Sequence, residues 1–116
     1  ESARAMTWET FSSAVAEGYR RDGYTVTRLK GAAADFLVER ASRTALVSCR
    51  RWKAARTGQE PLEALQAARE ARDVHDGVYL TTGEITDQAR AYAARHQIRL
   101  AQGPELLGLL GAAPRR

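Results

Sequence analysis

Gly31-Ala32-Ala33-Ala34-Asp35-Phe36-Leu37-Val38, followed after Arg43 by Ala45-Leu46-Val47-Ser48-Cys49-Arg50-Arg51-Trp52-Lys53, decides how the chain is to be folded. Two apolar, β-prone runs separated by the short Ala41-Ser42-Arg43 turn read as neighbouring strands, Ala34 to Arg40 and Thr44 to Trp52. A lone Asp stands at the mouth of the first. The second closes on a basic run that contains a Trp. Tyr24 to Lys30, also β-branched and aromatic, ends at Gly31, so the three runs predict an antiparallel meander.

Working outward, Trp8, Phe11, Val15 and Tyr19 recur at three- and four-residue spacing. This predicts a helix from Trp8 to Asp22, capped by Thr7 and stopped by Gly23. Downstream, Thr57 with Glu60 reads as a capping box opening a helix to about Asp73, with Pro61 in its first turn. Gly77 to Thr82 reads as a fourth strand, Thr86 as the cap of a helix to about His96, Ile98 to Ala101 as a fifth strand, and Pro104 as the start of a last short helix. The order α-β-β-β-α-β-α-β-α predicts an α/β fold, a three-layer α-β-α sandwich around a mixed sheet of about five strands. Strands that follow a helix should run parallel to a neighbour.

A length of 116 residues suits one compact domain, with residues 1–6 and 112–116 expected to fray. No stretch of about 18 apolar residues is present and no signal peptide opens the chain, so a soluble, cytoplasmic setting is expected. The sequence starts at Glu1 rather than Met, which leaves open a tethering segment or partner domain upstream. Cys49 has no second Cys to pair with, and with only His75 and His96 beside it there is no zinc-ligand spacing.

Lys and Arg outnumber Asp and Glu by 18 to 14, a formal charge of +4. So mild an excess fits a polyanionic partner or simply GC-rich coding. Its distribution is more pointed. Arg50, Arg51, Lys53 and Arg56 fall within seven residues, and Arg20 with Arg21 end the first helix, a candidate DNA-binding patch.

Trp8…Phe11…Gly23-Tyr24-Thr25-Val26, Gly31…Ala34-Asp35, Leu46 through Lys53, Tyr79-Leu80-Thr81-Thr82-Gly83…Thr86…Ala89-Arg90…Ala93 and Leu106 together resemble the Mrr-type restriction endonuclease family, of the PD-(D/E)xK nuclease fold. The resemblance implies a restriction-endonuclease-like fold, DNA as partner and, in members that cleave, a divalent metal, usually Mg2+. It implies an Asp at position 35 and a Gln or Glu, then a Lys, where this chain has Ser48 and Arg50.

The chemistry explains those residue types. A hard cation that polarises a phosphate and activates water needs oxygen ligands. Asp35 supplies one, and the backbone carbonyl of Cys49 is a further candidate. Read within a strand, residues 48 and 50 share a face, as the motif requires. The Ser48 hydroxyl is shorter than a Gln or Glu side chain. The Arg50 guanidinium is a broad fork that cannot replace a compact ammonium beside the attacking water. Relatives often carry an acid where this chain has Ser12. Glu17 lies about 180° from Trp8 around the helix and Glu9 about 100°, so neither replaces it.

Other residues have simpler roles. Cys49 reads as a core residue, Trp52 as packing at a strand end and Lys53 as a solvated charge, while Thr81, Thr82 and Gly83 fit a phosphate-binding turn or a plain strand end equally. Three functions follow: a DNA-interacting nuclease-fold domain with weak or lost cleavage, a working metal-dependent endonuclease with an unorthodox site, and a non-DNA interaction module that serves a fused or membrane-anchored partner. Oligomeric state is not legible.

Overall fold

The computed structural model describes residues 5–31 and 33–102. The last short helix predicted from Pro104, Leu106, and the expected fraying of residues 112–116 lie outside them, as do residues 1–4.

Helix α1 (Trp8–Arg21) begins as expected, with the Thr10 amide donating to Thr7 Oγ1 at 3.1 Å. It is followed by β1 (Thr25–Arg28), β2 (Phe36–Arg40) and β3 (Arg43–Ser48), which form the antiparallel meander. The β2–β3 connection is only Ala41 and Ser42, both with positive φ, 54° and 67°. That pair of left-handed residues is how a two-residue hairpin matches the strands' twist. Next come β4 (Arg56–Thr57), α2 (Gln59–Arg72), β5 (Asp76–Leu80), β6 (Glu84–Ile85), α3 (Asp87–His96) and β7 (Ile98–Ala101).

The main sheet runs β1-β2-β3-β5-β7, with β3·β5 and β5·β7 parallel, so α2 and α3 are the crossovers. Alternation along the strands divides the core in two. Phe36, Val38, Ala45, Val47, Val78 and Leu80 pack with Phe11 and Val15 of α1. Leu46, Tyr79 and Ile98 pack with Leu62 and Leu65 of α2 and with Ala89 and Ala93 of α3. A helix layer therefore covers each face of the mixed five-stranded sheet, the predicted α/β sandwich.

Two expectations are corrected. The third strand stops at Ser48 rather than Trp52, so Arg50 sits in a turn and does not share a strand face with Ser48. Thr57 does not cap α2. Its residue belongs to β4, which pairs in parallel with β6, and its carbonyl accepts the Thr86 amide at 3.0 Å. The N-cap falls to Gly58, which offers no side-chain bond. Strands of two residues leave no periodic signal, and the β4–β6 sheet was unforeseen for that reason.

Candidate functional site

Asp35 stands just before β2, at the end of the sheet where the parallel strands β3 and β5 finish and α2 starts. Its backbone bridges the sheet: the Asp35 amide donates to the Val47 carbonyl at 2.8 Å and the Leu29 amide donates to the Asp35 carbonyl at 2.9 Å. The side chain is 4% exposed. Its Oδ2 accepts the amides of Cys49 at 2.8 Å and Arg50 at 2.9 Å, and its Oδ1 faces Arg50 Nε at 3.4 Å. The carboxylate thus caps the turn that follows β3. The Cys49 carbonyl closes that turn by accepting the Trp52 amide at 3.2 Å.

Arg50 is held from two sides. Its guanidinium lies over the Trp8 ring at 4.2 Å and its Nε faces Asp35, while 60% of the side chain remains exposed. Trp52, buried as expected, stacks on Phe11 with ring centroids 4.4 Å apart, and Trp8 tilts against it at 5.6 Å. Cys49 is a core residue, and its thiol is pushed far up by burial, with the Asp35 carboxylate adding to the effect. Such a thiol is no nucleophile. Lys53 is exposed, with its ammonium 5.3 Å from the Trp52 ring.

An open cleft of about 660 Å3 lies beside this turn, with Ser48, Arg50 and Arg51 along one side and Lys30, Glu60 and Tyr79 also on its walls. Lys30 and Glu60 were not foreseen as cleft residues: one read as a strand end, the other as half of a capping box. A smaller pocket of about 210 Å3 adjoins it, shares Arg51, Glu60 and Tyr79, and adds Arg56 and Thr57. Burial raises the pKa of the Tyr79 phenol, against the opposing influence of the Thr57 hydroxyl and Arg51.

The other basic pair is elsewhere. Arg20 and Arg21 end the helix that Trp8 begins, about 18 Å along its axis at 1.5 Å per residue. Arg20 is also paired with Glu17 at 3.0 Å. The predicted patch therefore separates into Arg50, Arg51, Lys53 and Arg56 at one end of α1 and Arg20 with Arg21 at the other. Ser12 is buried and accepts a hydrogen bond from Arg28 at 3.3 Å. Thr82 is a structural staple, its hydroxyl and amide both donating to the Trp52 carbonyl at 2.6 and 3.0 Å. Beside it, a Cβ on Gly83 would overlap the Ala54 carbonyl, so only glycine permits this close approach.

The residues present do not fit a divalent cation. The oxygens of Asp35 are turned toward two amides and a guanidinium, and no group of three His, Cys, Asp or Glu gathers among the described residues. A hard cation held with few waters needs more oxygen donors than this.

The family model Mrr_cat, described as restriction endonuclease, matches residues 3–110. No curated protein matches in sequence. Among solved structures, a protein of unknown function designated AF1548 is similar with a TM-score of 0.66 and 18% identity over 80% of this chain and 57% of its own. The MspJI restriction endonuclease in complex with a 27-mer oligonucleotide is similar with a TM-score of 0.53 and 20% identity over 87% of this chain and 26% of its own. At such identities the likeness is one of fold, and the chain spans less than two thirds of either protein. No described helix is long and apolar enough to cross a membrane.

Proposed function

This chain belongs to the restriction endonuclease family, and from that premise we propose that it is a DNA-interacting nuclease-fold domain in which metal-dependent cleavage is weak or lost. The observation that carries the reading is the engagement of Asp35. A carboxylate that in a cleaving relative would face a cation here accepts two backbone amides and lies against Arg50. Ser48 adds only a short neutral hydroxyl to the cleft. What remains is cationic: Arg50, Arg51 and Lys30 line the cleft, and Arg56 lines the pocket beside it, a composition suited to the phosphate backbone. The oligonucleotide bound to the similarly folded MspJI supports DNA as the partner.

Supercoiled plasmid titrated with Mg2+ or Mn2+ tests the proposal, nicking and binding being followed together. Salt-sensitive binding without nicking is the expected result. Lys30 and Glu60 on the same cleft favour a second reading, cleavage by a relocated set of residues. Robust nicking that disappears in Lys30→Ala and Glu60→Gln selects it. Neither nicking nor binding would move the domain to a role that does not use DNA.

A further inference from the structure

Two arginines stand at the same end of the sheet as Asp35, facing α1, and each is held by one aromatic ring and one polar atom. Arg28, the last residue of β1, places its guanidinium 5.1 Å from the centre of the Phe36 ring and donates from Nη1 to Ser12 Oγ at 3.3 Å. Arg50 lies 4.2 Å over the Trp8 ring and turns its Nε to Asp35 Oδ1 at 3.4 Å. Asp35 and Phe36 are consecutive in the chain, and Trp8 and Ser12 are one turn apart on α1, about 6 Å along its axis. The two guanidinium groups are therefore neighbours. The Cys49 thiol registers both: burial chiefly raises its pKa, and the Arg50 and Arg28 charges oppose that rise.

Their charges are not balanced. Asp35 opposes Arg50, whereas Arg28 meets a hydroxyl and a ring and forms no ion pair with another described residue. Ser12 is 1% exposed, and its hydroxyl is used twice, accepting from Arg28 and donating to the Glu9 carbonyl at 3.4 Å. The cluster thus sets two guanidinium groups against one carboxylate. Arg28 is exposed and 60% of the Arg50 side chain is open to solvent, so both remain able to reach a ligand. A planar fork already stacked on a ring gives up less side-chain freedom on binding than one moving freely in solvent. Its parallel N–H donors match the oxygens of a phosphate.

We propose that Arg28 and Arg50 grip one phosphate group of DNA between them, with Trp8 as the positioning residue beneath Arg50. The inference rests on the reading of DNA as partner and adds to it a residue on the other face of the sheet, since Arg28 lines neither the cleft nor the smaller pocket. Arg50 does line the cleft, so the strand it holds passes over the end of the sheet from the α2 side to the α1 side.

The test is duplex binding by the whole chain over a salt series, with Arg28→Gln, Arg50→Gln and the two combined. Each single change should weaken binding about tenfold. Because the two residues share a ligand, the combined loss should fall well short of the roughly hundredfold product. The salt slope of the double variant should drop by about one, for one phosphate, rather than two. Ser12 keeps the Glu9 carbonyl as a partner when Arg28 is changed, so Tm should hold. Arg28→Lys, which keeps the charge and loses the fork, should weaken binding without changing the slope, and serves if Arg28→Gln fails to fold. Trp8→Phe, which keeps a ring beneath Arg50, should bind as wild type does, and Trp8→Leu should weaken binding only while Arg50 is present.

Arg28→Gln and Arg28→Lys chains that bind as tightly as wild type overturn the shared phosphate, as do losses that multiply with a slope that drops by two. Salt-sensitive binding through the cleft arginines would survive either outcome and leave the proposed function standing. A wild-type chain that binds no DNA at any salt removes the proposed function itself, and the shared phosphate with it.

Discussion

Asp35 brings a carboxylate into a position almost closed to water, and its surroundings supply the missing donors: two amides of the turn after β3 and the guanidinium of Arg50. Its structural work follows from that geometry. Removing the acceptor leaves the buried Cys49 amide without a partner, a loss of about 2–3 kcal/mol in stability. Asp35→Ala should therefore lower Tm markedly, and Asp35→Asn, which keeps one acceptor oxygen, should lower it less. Calorimetry or a denaturant midpoint measures both. An Asp35→Ala chain as stable as wild type would mean that the carboxylate does not hold the turn, and would restore it to the candidates for cleavage chemistry. Arg50 contributes less, since its guanidinium is mostly in solvent and screened there.

At the scale of elements, the β2–β3 hairpin and the β3–β5 pairing carry the next predictions. Ala41 and Ser42 hold left-handed backbone that glycine and asparagine adopt more readily. Ala41→Asn with Ser42→Gly should raise stability by about 1 kcal/mol, read as a higher denaturant midpoint with unchanged slope. Where β3 and β5 begin, Arg43 Nε and its terminal nitrogen donate to the two Asp76 oxygens at 2.8 and 3.1 Å. That hydrogen bonding, chiefly, holds the Asp76 carboxyl below its ordinary 3.8. With the folded value lower than the unfolded one, the stabilisation is complete above about pH 4 and fades as pH falls through the folded value. Asp76→Asn should flatten this acid limb of the stability profile. The effect should stay below about 1 kcal/mol, because both side chains are more than a third exposed. Helices and main strands were legible in the sequence because each repeats its apolar residues at its own period: Phe11 and Val15, or Val38, Ala45 and Val47. The capping box at Thr57 and Glu60 misled because a two-residue pairing with β6 took Thr57 into a sheet. The end of β3 was misplaced for a related reason, since Cys49 and Trp52 are buried by a turn held by contacts distant in sequence, the Asp35 carboxylate and Thr82 among them.

Across the whole molecule, the question is which basic residues act on one ligand. Sequence proximity grouped Arg50, Arg51, Lys53 and Arg56 but gave no means of seeing that about 18 Å of helix α1 separates Trp8, on which Arg50 lies, from Arg20. On the proposed function, a duplex lying across the cleft and the start of α2 would meet Arg50, Arg51 and Arg56. Each phosphate contact releases counterions, so affinity should fall steeply with salt. Arg51→Glu with Arg56→Glu should weaken binding strongly and reduce the salt slope by about two, one for each lost contact. Arg20→Glu, at the far end and already paired with Glu17, should change the slope little. Binding measured across a salt series separates these outcomes: equal loss in both variants would mean that DNA follows the α1 face instead, and binding indifferent to salt would remove the phosphate backbone as the ligand.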